Sequence, residues 1–184
     1  MAFTQLVKEW HAEQACQALV DNTRWGYQAT KLHISFREAF RGGKEEKFRL
    51  LPSLVRNRLV TIEDLCDFCL TFQLDKDRAF LDCLRHLMIP ADKDSEGGGG
   101  GDGVCTLPVE EAVARAGSLC RNIEATKDLV KGLESIVALL NPCDYDRIEF
   151  VLRELETARP SSEMTRNLKL LTFLKVACFE SLCL

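Results

Sequence analysis

Cys66, Cys69, Cys83 and His86 fall in the pattern C-x2-C-x13-C-x2-H. Thiol and imidazole donors in two closely spaced pairs are what a tetrahedral structural zinc site requires. In a small zinc module the metal stands in for a core, so few apolar residues separate the ligand pairs. Here they are separated by LTFQLDKDRAFLD, an amphipathic stretch that demands a hydrophobic core of its own. On a helix, Cys66 and Cys69 share a face with Leu65 and Phe72, and Cys83 shares one with Phe80 and Leu87. The pattern favours cysteines that act as small buried hydrophobes. A zinc-stabilised module using the four residues is the alternative. In the favoured reading His86 faces solvent or caps a helix.

Other residues with chemical potential do not complete a catalytic or metal motif. His11 stands between Glu9 and Glu13, but HAEQA has no second histidine to complete a metalloprotease helix. His33, beside Leu32 and Ile34, reads as a partly buried structural histidine. The run of five glycines is no phosphate loop, because no strand precedes it and no Gly-Lys-Ser/Thr follows. Glu110 and Glu111, like Glu154 and Glu156, read as helix-surface acids with no nucleophile or base beside them. No catalytic residue, cofactor or small-molecule substrate is therefore expected. Lys44, Lys47, Arg49, Arg56 and Arg58 are interleaved with apolar residues. They form a candidate basic surface for an acidic partner or anionic lipid, against the plainer reading of a solvated helix face. The stretch has no aromatic platform on which single-stranded nucleic acid could stack.

The elements that must position these residues come from a chain of 184 residues, 46% hydrophobic and 28% charged. That balance belongs to folded globular proteins, not disordered ones. Nine cysteines cannot all pair within the chain and read as thiols in a reducing compartment. No apolar run approaches the roughly 20 residues of a membrane span. The first residues also lack the pattern of a signal peptide. A cytoplasmic or nuclear home is expected. The net charge of −4 argues against nucleic acid as the main partner, although residues 1–60 carry a basic excess.

Helical periodicity runs almost throughout, with no strand alternation. The spacing predicts a helix over 4–20, with Trp10, Cys16 and Leu19 close to one face, then a second over 24–40 after VDNT, stopped by Gly42 and Gly43. KEEKFRLLPSLVRNRL is a third helix or a helix pair, with Pro52 either kinking it or opening a new first turn. Thr61 caps the next helix, with Glu63 and Asp64 in its first turn. Asp75 caps another, making an αα-hairpin. Residues 90–106 read as a Gly-rich flexible loop or linker. Thr106, with Pro108 just inside, restarts a helical pattern that runs to Leu140 as one helix or as two broken near residues 117–122. Asn141 and Pro142 end it, DYDRIEFVLRELETAR forms another helix, Pro160 ends that one, and a serine cap begins the last. Eight or nine helices result. The expectation is an all-α fold of antiparallel helix pairs, stacked as an α-solenoid segment or a helical bundle. Its halves, 1–89 and 107–184, are expected to pack as one domain.

One stretch carries a resemblance. In NPCDYDRIEFVLRELE, a Pro-x-Asp-Tyr turn leads into a helix through Pro142, Asp144, Tyr145, Ile148, Phe150, Val151 and Leu152. Together with VTIEDLCDFCLTFQLDKDRAFLDCLRHLM, it resembles the large helical scaffolds of the kinetochore protein Rod and its relatives in vesicle-tethering complexes. The resemblance implies a piece of a larger protein that builds the outer kinetochore with Zwilch-type partners, recruits dynein and supports the spindle checkpoint. It implies protein subunits as partners, a kinetochore location in mitosis and no catalysis. A vesicle-tether or coat scaffold is the alternative within the same class.

Overall fold

The computed structural model describes residues 2–89 and 107–182. The Gly-rich segment 90–106, with Thr106, lies outside the described residues. Among those described, ten helices and no strand occur. The chain divides into two compact units, Met1–Lys76 and Asp77–Leu184.

The first unit opens with α1 (Ala2–Lys31), a single helix of 30 residues where two were expected. The polar residues of VDNT do not break it. The Asn22 amide donates to the Ala18 carbonyl at 2.7 Å and the Thr23 hydroxyl to the Leu19 carbonyl at 2.8 Å, both one turn back. Helix α1 stops instead at His33, whose φ of 56° is left-handed. The Ile34 N–H reaches back to the Ala29 carbonyl at 2.8 Å, the long bond of a Schellman end. The Asn57 amide also donates to the Leu32 carbonyl at 2.8 Å.

Short helices α2 (Arg37–Arg41), α3 (Lys44–Phe48) and α4 (Leu51–Arg56) follow. The glycines separate the first two. Pro52 sits in the first turn of α4, where its missing N–H costs nothing, so the basic stretch is a helix pair. Helix α5 (Ile62–Thr71) begins with a capping box: the Thr61 hydroxyl accepts from the Asp64 N–H at 3.1 Å, and the Asp64 carboxylate accepts from the Thr61 N–H at 2.9 Å. It ends as α1 does, with Gln73 at φ 51° and the Leu74 N–H on the Cys69 carbonyl at 2.8 Å. The unit is centred on aromatic rings. Trp25 meets the Phe68 ring edge-on at 4.8 Å, Phe68 meets Phe72 at 4.9 Å, and Phe36 lies 6.2 Å from Phe72.

In the second unit are α6 (Lys76–Met88), α7 (Val109–Asn122), α8 (Thr126–Val137), α9 (Tyr145–Ala158) and α10 (Ser162–Leu182). The pattern over 109–140 resolves into two helices. The break falls at extended Ile123, beyond the region of Gly117, which is buried inside α7. Pro108 stands just outside α7, at the cap position, where the sequence placed it just inside. Helix α8 lacks a side-chain cap of its own, and Asp77 of α6 supplies one. Its carboxylate accepts from the Ala125 N–H at 2.8 Å and the Glu124 N–H at 3.2 Å. Asp144 caps α9 by accepting the Arg147 N–H at 3.3 Å, and the Ser161 hydroxyl caps α10 by accepting the Met164 N–H at 3.1 Å. Helix α9 is the centre of the unit: α7, α8 and α10 all pack on it, around buried Phe150, Val151 and Leu155.

Candidate functional site

The cysteines of the opening pattern serve the core. Cys69 and Cys83 are buried, on α5 and α6, and Cys66 is half-buried. Burial pushes the Cys69 thiol up to about 12, helped by neighbouring Cys66, and raises Cys66 for the same first reason. The His86 imidazole is half-exposed, its Nε2 3.7 Å from the Asp82 carboxylate one turn back on α6. Among the described residues, no three His, Cys, Asp or Glu side chains gather as a metal site would require.

The basic stretch does not form one surface. Lys47 is only 6% exposed. Its ammonium donates to the Ala39 and Gly42 carbonyls at 2.8 Å each, closing the C-terminal end of α2, and lies 4.9 Å from the centre of the Phe72 ring. Desolvation by burial lowers its pKa from the ordinary lysine value. Both the candidate binding surface and the plainer solvated face put Lys47 outside; it is a core cation because the first turn after Gly43 turns it inward. Lys44 is exposed but donates to the Gln73 carbonyl at 2.8 Å, bracing the end of α5. Arg49 and Arg58 are exposed and Arg56 is half-buried.

The remaining candidates take ordinary places. His11 is exposed and stacks edge-on with Trp10 at 5.0 Å. His33 is exposed, not partly buried, because the left-handed turn swings it outward. Glu110 is exposed. Glu111 is half-buried. Glu156 accepts from the Thr165 hydroxyl at 2.6 Å, tying α9 to α10. Glu154 is half-buried on α9, and burial raises its carboxyl above the usual range although Arg121 opposes this. Burial likewise pushes the Cys120 thiol up to about 12.

Two apolar features were missed. Every residue of α1 from Val7 to Val20 is exposed, including Trp10, Leu19 and Val20. The amphipathic reading of 4–20 put Trp10, Cys16 and Leu19 on a packed face; no such packing occurs. In the second unit a groove of about 430 Å³ runs between α8, α9 and α10, lined by Val137, Leu140, Ile148, Leu152 and Leu171 among others. Beside it α10 exposes Leu170, Phe173, Leu174 and Val176. The run LLTFLKVACF was the available signal, since its apolar residues are too continuous for one buried stripe. Such a surface is suited to burying apolar area against another helix.

Comparison with known proteins agrees with a helical-repeat reading. Residues 1–153 match the family model described as the KNTC1 third ARM-repeats domain. The chain is 33% identical over 157 residues to Kinetochore-associated protein 1 of Mus musculus, covering 84% of this chain and 7% of that protein. It is 33% identical over 146 residues to Kinetochore-associated protein 1 of Homo sapiens, covering 76% of this chain and 6% of that protein. The chain thus spans a small fraction of the length of these relatives. No solved structure matches. The resemblance first read from Pro142 to Leu152 is supported at the level of a kinetochore helical-repeat protein. The match takes in α1 to α8 and most of α9, with an all-helical fold across them, and the chain belongs to the family of the KNTC1 third ARM-repeats domain.

Proposed function

We propose that this chain is a non-catalytic helical scaffold segment that works through protein–protein contacts in a kinetochore complex. The family match over residues 1–153 carries the reading. Identity of 33% to two proteins named for kinetochore association supports it. The packing of α7, α8 and α10 on α9 is what stacked helical pairs produce, and supports an α-solenoid segment. No reaction is assigned, and the partners are other protein subunits. The location that follows is the kinetochore in mitosis, and cytoplasm or nucleus otherwise. The kinetochore relatives favour this over a vesicle-tether or coat scaffold and over a zinc module.

Tagged chain expressed in dividing cells, imaged and then isolated by proximity labelling in mitosis and in interphase, tests the proposal. Enrichment at kinetochores, with kinetochore proteins labelled in mitosis, is expected. Labelling of membrane-traffic proteins in both phases, without kinetochore signal, would move the chain to the vesicle-scaffold class.

A further inference from the structure

We draw no further inference here: the strongest candidate, the apolar groove between α8, α9 and α10 lined by Val137, Leu140, Ile148, Leu152 and Leu171, carries nothing because nothing in the structure shows what covers it.

Discussion

Lys47 holds its ammonium 2.8 Å from both the Ala39 and Gly42 carbonyls and over the face of Phe72. Replacing it with methionine keeps the aliphatic stem but takes the ammonium from the Gly42 carbonyl and leaves the Ala39 carbonyl with the Gly42 N–H alone, at 3.3 Å. Lys47→Met is expected to lower unfolding free energy by about 2 kcal/mol in urea titration. A change under about 0.5 kcal/mol would show that water replaces the ammonium without loss. Gln73 presents the opposite opportunity. Its left-handed φ of 51° at the end of α5 strains a residue with a Cβ. Gln73→Gly should raise stability by roughly 0.5–1 kcal/mol, read as a higher Tm, since the Lys44 bond goes to its backbone carbonyl and survives. A lower Tm would mean that backbone entropy outweighs the relieved strain. Neither role was legible beforehand. Lys47 sits among charged neighbours in KEEKF, and its inward turn depends on where α2 ends.

At the scale of elements, Asp77 joins two helix starts. It lies in the first turn of α6 and accepts the otherwise orphaned Glu124 and Ala125 N–H groups before α8. Asp77→Ala should cost about 1–2 kcal/mol, and Asp77→Asn should recover part of it by keeping an acceptor oxygen. Equal loss in both would place the effect in charge alone. Between α9 and α10, the Lys175 ammonium bridges the Asp146 and Glu149 carboxylates at 2.7 Å each. Hydrogen bonds from Lys175 and Arg153 hold Glu149 below the usual carboxylate range, and those to Asp146 and Glu149 hold Lys175 above its own. Glu149 then contributes stability that is present above its unfolded pKa of about 4.3 and lost as pH falls through its lower folded value. Lys175 contributes stability present below about 10.4 and lost as pH rises through its higher folded value. Lys175→Met should flatten the acid limb of a stability–pH profile by about 0.5 kcal/mol, a figure reduced for solvent screening at this partly exposed site. An unchanged acid limb would reject the bridge. Local helix starts were readable: Thr61, the serine cap at Ser161 and the first-turn Pro52 all act within three residues. The cap from Asp77 reaches 47 residues along the chain, and no local pattern announces it. The continuity of α1 was hidden because Asn22 and Thr23 serve equally as helix breakers or as back-bonding helix residues.

For the whole molecule, the division near Lys76 has a spectroscopic handle. Both tryptophans, Trp10 and Trp25, belong to the first unit, whereas helices lie in both. Tryptophan fluorescence therefore follows the first unit and far-ultraviolet circular dichroism follows the two together. Denaturant curves from the two probes are expected to diverge, as they do when units unfold separately. Superimposable curves would show one cooperative transition instead. The all-α class was legible in the sequence because hydrophobic spacing of three and four persists for most of its length. The division was not, because it falls within the α5–α6 region that reads as one hairpin.

The burial that keeps Cys69 and Cys120 protonated also makes them timers. A maleimide reacts with thiolate, so Cys16 and Cys143, both exposed, should label at once, while Cys69 and Cys120 wait for their surroundings to open. Cys69 stands in the first compact unit, and Cys120, with buried Cys83, in the second. Mass-resolved labelling rates at the two positions would give the opening frequency of each unit in the native protein, without denaturant.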